Sequence, residues 1–459
     1  MPQADFDVVV VGASLAGCAT AILLARGGAR VALIERHARH DTHKQLCTHY
    51  IQASAWPVLE RLGLVPLIET AGGVPNIMEL HTPHGWIADH PEHHPPGQPL
   101  HGYNIRRARL DPMVRQLASD TRGVTLLTGV SARGLIDHQG RIAGVRVQGA
   151  IGERSLRTPL VVAADGRHSE MARLAGVVPR QSQNRRHGVM LAMRGVDLQR
   201  GQRSQMWLTG PEVAYVFPND DSVTLLAWCA PPDRFDGLER PEVHDALLAR
   251  IRSLPDAPQL HEADVAGDLM VVRDHPNLYR PPVVRGMALV GDALQSVDYV
   301  HGVGCGWALQ GAEWLAEALS GRLKDERWRR EGLKAYARQV RQHFGPHRFF
   351  IDDFARRLQL NAAEHLFCAA AVRDPRWAAR MMAVGARHVS PWSLMRPGSL
   401  ASALWLCATR QPLPEGTRQP LSAHELAQVA ARSTPGRSPE ASTMRLHGVV
   451  DDPSRTMAA

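Results

Sequence analysis

The feature that most constrains the fold is a strand, a glycine-bearing turn, a helix and a second strand, all within residues 6–35. Residues 6–11, Phe-Asp-Val-Val-Val-Val, form the β-branched run expected of a strand buried on both faces. The turn Gly12-Ala13-Ser14-Leu15-Ala16-Gly17 comes next. It is followed by a helix through Cys18 to Arg26, closed by Gly27-Gly28, and by residues 30–35 as a second strand. Two parallel strands need a long crossover, so a strand–helix–strand unit of this length implies a parallel sheet. The expected fold class is α/β.

The turn has the spacing G-x-x-x-x-G, with Ser14 where the middle glycine of G-x-G-x-x-G would stand. Gly12 permits the tight turn, small Ser14 lets the backbone approach a pyrophosphate, and Gly17 beside Ala16 lets the helix lie close to the sheet. The helix N-terminus then presents free N–H groups and its positive dipole end to the phosphates. Glu35, with Arg36 after it, ends the second strand. A carboxylate there accepts the two ribose hydroxyls of an adenosine and repels a 2′-phosphate, which favours FAD or NAD over NADP. A glycine-rich turn that binds nothing is the alternative.

Composition excludes several function classes. At 459 residues, 44% hydrophobic and 21% charged, the chain has room for two interlocked globular domains, and a fibrous or wholly disordered protein is excluded. A net charge of +8 would suit nucleic acid, but the arginines are spread along the chain without a dense basic run, so no nucleic-acid partner is expected. Cysteines 18, 47, 229, 305, 368 and 407 form no CxxC pair, which points to a reducing cytoplasm without a disulfide framework or zinc site. Val8 to Ala25 imitates a signal peptide, yet Asp5 and Asp7 precede it and Gly12, Ser14 and Gly17 interrupt it; no other run is apolar enough to span a bilayer. The histidines at 81, 84, 90, 93, 94 and 101 lie among Pro and Gly and are read as an exposed loop, with no metal. No G-x-S-x-G elbow is present to support hydrolase chemistry.

Three further segments carry a family resemblance: Arg107-Ala108-Arg109-Leu110-Asp111, Ala164-Asp165-Gly166-Arg167-His168-Ser169 with Arg173, and Leu289-Val290-Gly291-Asp292-Ala293. They are similar to the R-x-x-L-D, DG and GD motifs of the FAD-dependent aromatic hydroxylases (para-hydroxybenzoate hydroxylase-like flavoprotein monooxygenases). With the N-terminal turn, the chain resembles that family over roughly residues 6–320. The resemblance implies a Rossmann-type FAD-binding domain with an interleaved β-sheet substrate domain. It places Arg107 near the FAD pyrophosphate, Asp165 at the cofactor, and Asp292, after Gly291, on a ribityl hydroxyl. The amides of Gly302, Val303 and Gly304 would face the flavin pyrimidine end, the Val130 backbone would meet the adenine, and Lys44 and Gln45 would approach the isoalloxazine edge. The chain departs from the family form G-D-A-A-H-x-x-x-P-x-x-G-x-G-x-N: Gln295 replaces the histidine, Tyr299 the proline and Gly306 the asparagine. Tyr299 and His301 could thereby bring a hydroxyl and an imidazole to the reactive face, and they are the candidate catalytic residues. Cys305 reads as a small buried residue rather than a flavin attachment point.

The expected domains are FAD-binding segments 1–80, 100–185 and 276–325, a substrate sheet from 81–99 and 186–275, a helical region over 326–410, and a partly disordered tail over 411–459. Trp207, Tyr215, Phe217 and Trp228 lie on strand-like runs and are candidates to line a substrate pocket, with plain core packing as the alternative. The resemblance implies a monooxygenase of the kind found in secondary metabolism. It would hydroxylate or epoxidise a hydrophobic, aromatic or polyketide-like molecule with O2 and NAD(P)H through a C4a-hydroperoxyflavin, reduced internally or by a partner flavin reductase. Three alternatives stand beside it. One is a flavin-dependent dehydrogenase or reductase on the same fold, since Ala214-Tyr215-Val216-Phe217-Pro218 faintly resembles the Y-x-W-x-F-P run of geranylgeranyl reductases. The others are a halogenase, whose usual G-W-x-W-x-I-P run is missing, and a non-catalytic redox sensor.

Overall fold

The computed structural model describes residues 4–413. Val8–Val11 is buried throughout and pairs in parallel with Val31–Glu35 on one side and Val161–Ala163 on the other. Val124–Thr128 extends this sheet beyond Val31–Glu35, Met287–Leu289 extends it beyond Val161–Ala163, and Val283–Val284 closes that edge in antiparallel pairing. A central parallel strand covered on both faces has no solvent side, which is why four consecutive valines are stable there. The α/β class expected from the sequence is the one observed.

Helices α1 (Leu15–Arg26) and α2 (Arg107–Asp120) pack against each other beside this sheet. The turn into α1 is closed by backbone contact. Gly12 has a φ of +103°, and a Cβ on it would come 2.5 Å from the Ala164 carbonyl oxygen. A Cβ on Gly17 would come 1.8 Å from the Gly12 carbonyl oxygen. Strand, turn and helix therefore touch with no side chain between them.

The second sheet has eight strands. Its main path runs Asp264–Val265, His187–Arg194, Val223–Ala230, Glu212–Pro218, Ser204–Thr209, Met78–Thr82 and Gly85–Ala88. Because side chains alternate across a strand, the register sorts its residues into two faces. Ala214 stands opposite both Trp207 and Trp228, while Tyr215 stands opposite both Met206 and Ala227. Helix α3 (Arg240–Arg252) covers the first face, where Trp86, Trp207 and Trp228 pack with Leu247 and Ile251. Tyr215 and Phe217 lie on the other face, stacked with centroids 4.7 Å apart. The four aromatics grouped in the sequence thus divide. Trp207 Nε1 donates to the Pro255 carbonyl at 2.9 Å and Trp228 Nε1 to Glu212 at 3.2 Å, so both belong to the α3 core rather than to a pocket.

Helix α4 (Gly304–Leu319) packs on α1 and returns the chain to the first sheet. Beyond it come α5 (Glu326–Arg357), α6 (Ala362–Ala371), α7 (Pro375–Gly385) and α8 (Pro397–Thr409). Side-chain caps from Asp325, Asn361 and Asp374 fix the starts of α5, α6 and α7. The histidine-rich stretch is only partly the exposed loop expected: His101 is buried edge-on to Trp56 and Tyr103, and the His94 ring lies within 2.6 Å of Asp89. The tail expected to be partly disordered falls, from residue 414 on, outside the described residues. Among the described residues no helix is long and apolar enough to cross a membrane.

Since the Gly12 carbonyl cannot move without opening the first sheet, Gly17→Ala should destabilise the protein by about 1–3 kcal/mol or more. Urea unfolding of the flavin-free protein measures this, and an unchanged midpoint would show that the turn is not closed by backbone contact.

Candidate functional site

The N-terminal turn, the Arg107–Asp111 segment and the Gly291-Asp292 segment converge at the N-terminus of α1. Ser14 is its N-cap in extended conformation, but the Ser14 side chain does not cap the helix. Its Oγ accepts from Arg107 Nη2 at 2.8 Å and donates to Asp111 at 3.4 Å, which leaves the first-turn amides of α1 open to an anion. Ala16 faces the third motif: a Cβ on Gly291, whose φ is +58°, would come 2.7 Å from the Ala16 Cβ. Across the turn, Glu35 Oε2 accepts from the Ala13 N–H and Oε1 from the His37 N–H, both at 3.0 Å. Each carboxylate oxygen keeps a second lone pair for a hydroxyl. Val130 sits at the same corner, donating its N–H to the Glu35 carbonyl at 3.0 Å. An open helix N-terminus, a carboxylate with free lone pairs and a buried arginine are the donor set that a pyrophosphate-linked dinucleotide needs, and these residues fit FAD.

Arg107 and Asp111 are both buried, and the Asp111 Oδ1 accepts from Arg107 Nε at 2.7 Å. Asp111 Oδ2 also accepts the Lys44 backbone N–H at 2.9 Å. Burial works against the Arg107 charge, yet the Asp111 carboxylate and the Cys305 and Cys47 sulfurs hold its pKa well above the ordinary value. Lys44 Nζ reaches Asp292 at 2.6 Å, and the attraction of that carboxylate outweighs burial and raises the lysine pKa.

Two cysteines lie under Arg107. Cys305 is buried, as expected, but its Sγ is 3.7 Å from that of partly exposed Cys47. A hydrogen bond with Cys305, the His49 N–H at 3.2 Å and the Arg107 charge hold the Cys47 thiol well below its usual range against the effect of burial. Burial pushes the thiols of Cys18, Cys229 and Cys368 up.

Other predicted residues are placed differently. Arg36 is exposed and turns to His37 at 3.1 Å, and Gln45 is exposed against His43 at 3.2 Å. Asp165 caps its own downstream helix, accepting from Ser169 Oγ at 2.6 Å and the Met171 N–H at 3.0 Å; burial raises its pKa. The loop 298–304 is fixed by Asp298, which is fully buried, faces Arg186 at 3.9 Å and accepts from the Val300 N–H at 3.1 Å. Gly302 follows in the left-handed conformation, with Val303 and Gly304 opening α4. Tyr299 packs against Gly188, where a Cβ would come 2.0 Å from the tyrosine oxygen.

His301 borders a cavity of about 590 Å³. Its floor is the sheet face carrying Met78, Met206, Leu208 and Phe217, and its roof is the helical C-terminal region, with Phe354, Phe367 and Met382. Tyr50, Gln52, Val300, His301 and Gly302 form the end nearest the dinucleotide motifs. Of the four aromatics singled out in the sequence, Phe217 lines this space. Among the described residues the His301 Nε2 is buried there with no hydrogen-bond partner, and burial with the nearby Arg387, Arg186 and His347 keeps the ring neutral. Tyr50, Gln52 and Arg387 had no motif to mark them. Only their positions in the folded chain bring them to the cavity.

A model of the family described as "FAD binding domain" matches residues 5–345. The chain is 28% identical over 351 residues to digeranylgeranylglycerophospholipid reductase 2 of Methanopyrus kandleri, a match covering 74% of this chain and 83% of that protein. Among solved structures it is similar to a flavoprotein/dehydrogenase from Cytophaga hutchinsonii, with a TM-score of 0.71 at 16% identity over 88% of this chain and 98% of the other. It is also similar to the myxobacterial chondrochloren halogenase CndH, with a TM-score of 0.67 at 19% identity over 88% and 97%. At these identities the solved structures share the fold.

Two measurements test the site. Asp292→Ala should sharply lower the flavin absorbance per protein after purification; full retention would remove Asp292 from the cofactor contacts. A lowered thiol pKa means more thiolate at neutral pH, so iodoacetamide should alkylate Cys47 at a rate that falls little between pH 8 and 7, followed by peptide mass mapping. A fall approaching tenfold over that unit is what an unperturbed thiol of pKa about 8.5 would give.

Proposed function

The chain belongs to the FAD binding domain family, and from that premise we propose that it uses bound FAD to oxidise a hydrophobic small molecule held in the cavity between the large sheet and the C-terminal helices. The observation that carries this reading is the position of the cavity. Its walls are largely apolar side chains, and its inner end is the segment Val300–Gly302 that leads into α4.

The flavin supplies the two-electron chemistry when bound. The chain's own residues do the rest. The Gly12–Gly17 turn, Glu35, Arg107, Lys44 and Asp292 hold the dinucleotide, and the start of α4 offers the positive end of a helix dipole to the flavin. Phe217, Phe354 and Met206 exclude water from the space in which the substrate lies, which protects reactive oxygen chemistry from solvent. His301, neutral and with its Nε2 unpartnered, is positioned to accept or return a proton at the substrate. Tyr299, fixed against Gly188 in place of the family's proline, lies in the same loop.

The family motifs favour hydroxylation or epoxidation with O2 and NAD(P)H as electron donor, directly or through a separate flavin reductase. A second reading, reduction of a prenyl-like chain, is supported by the likeness to the Methanopyrus kandleri reductase over 74% of the chain. The test is incubation of the FAD-loaded protein with NADH or NADPH and a panel of aromatic, polyketide and prenyl compounds under ¹⁸O2. A product carrying one heavy oxygen identifies the monooxygenase. A product that instead gains two hydrogens, and forms equally well without O2, identifies the reductase. No product and no substrate-dependent consumption of NAD(P)H across the panel would refute both.

A further inference from the structure

The cavity contains a cation that the described residues leave largely unpaired. Arg387 is the one arginine or lysine among its described lining residues. Its Nη1 makes two long contacts, 3.3 Å to His347 Nδ1 and 3.4 Å to the Val384 carbonyl. Among the described residues the Nε is buried without a partner, and no hydrogen bond reaches the Nη2. Three carboxylates also border the cavity, and each is engaged elsewhere: Asp89 with His94, Asp353 with Arg357, and Glu364 with Arg357. Other arginines also keep one buried nitrogen unpartnered, Arg186 Nη2, Arg280 Nε and Arg329 Nε among them, but they lie outside the cavity and have firmer partners. Arg107 faces Asp111, Arg186 faces Asp298, and Arg115 donates to the Ala13 and His40 carbonyls.

The backbone at Arg387 gives an independent reason to assign it a role. The chain leaves α7 through a bond from the His388 N–H to the Ala383 carbonyl at 3.0 Å, with Arg387 at a φ of +68°. That is the helix-ending position where the left-handed conformation favours glycine. From this position the arginine lines the cavity. The negative end of the α7 dipole favours a cation at this point, but it engages the Val384 carbonyl only at 3.4 Å and leaves the Nε–Nη2 edge bare.

We propose that Arg387 binds a carboxylate on the substrate, so that the substrate is an amphiphilic acid whose apolar part fills the cavity. The inference rests on the cavity being the substrate site. The free Nε and Nη2 form the planar fork that matches two carboxylate oxygens. One cation between apolar walls balances a monoanion, whereas a dianionic phosphate would leave a net charge buried. Gln52 Nε2 donates to the carbonyls of both His301 and Gly385 at 3.3 Å, which sets the Arg387 end of α7 against the flavin-side loop, so the acid group is held at the inner end of the cavity. The tail then runs towards Phe349 and Trp392, which are 52% and 46% exposed and mark the mouth.

Isothermal titration of the full-length, FAD-loaded protein at neutral pH with decanoate, decanol and decyl phosphate tests this without requiring turnover. Decanoate should bind at least tenfold more tightly than decanol, and more tightly than decyl phosphate. In Arg387→Met the decanoate affinity should fall to that of decanol, with decanol binding and flavin content unchanged. Equal binding of acid and alcohol by the unaltered protein would overturn the proposal whether or not the variant folds. So would an acid preference that survives in Arg387→Met, or a preference for the phosphate. Failure of all three ligands to bind would overturn it together with the assignment of the cavity. Arg387-dependent acid binding in a protein that consumes no NAD(P)H with any substrate would uphold the anion site and reject the oxidoreductase reading.

Discussion

The Asp111 carboxylate is the contact on which the rest of the site depends. One oxygen holds Arg107 at 2.7 Å, and the other takes the Lys44 backbone N–H at 2.9 Å and the Ser14 hydroxyl at 3.4 Å. A single buried group thereby fixes the start of α1, the start of α2 and the loop that carries Lys44 to Asp292. It also makes the Arg107 charge tolerable, since removing one member of a buried pair leaves the other desolvated at a cost of about 3–5 kcal/mol. The dinucleotide corner is consequently rigid, and its charges are set before any ligand arrives.

The large sheet solves a different problem, because its two faces have different fates. The face under α3 is sealed by Trp86, Trp207 and Trp228, while the opposite face is covered by helices that follow the dinucleotide motifs in sequence. Helices packed on a sheet normally exclude space. Here α5, α6 and α7 stand off it, and the resulting volume opens at its inner end on the loop that Asp298 and Arg186 hold. The C-terminal region is therefore structural to the cavity, supplying its roof and, among the described residues, its one lining arginine or lysine.

This division explains what could be read from the sequence. The first sheet was legible because Val8–Val11 and Gly12–Gly17 encode burial on two faces and close backbone approach locally. Strand register is not local. Trp207 and Tyr215 both lie on β-rich runs, and only the pairing of Ala214 with both tryptophans shows that they face opposite ways. The ion pair of Lys44 with Asp292 spans 248 positions and has no spacing signal. Gln45 and Arg36, carried over by motif position, instead contact their neighbours at the surface. Arg387 was invisible for the reverse reason: one arginine among many says nothing until the carboxylates around it are seen to be engaged elsewhere.

The electrostatics of the inner end join these features. His301 is neutral because it is buried, and because Arg387, Arg186 and His347 all face it and disfavour a further positive charge. Arg186 is already balanced by Asp298, and burial keeps His347 unprotonated, with its pKa pushed down to about 2. Arg387 therefore remains as the uncompensated charge acting on the imidazole. An anion seated on Arg387 would cancel that repulsion while leaving the burial in place, so the affinity of His301 for a proton would rise as the acid binds. Linkage makes the effect reciprocal, since a proton on His301 would in turn strengthen the hold on the anion. For the role proposed for His301, a proton affinity that rises as the acid binds is better matched to accepting a proton than a fixed one.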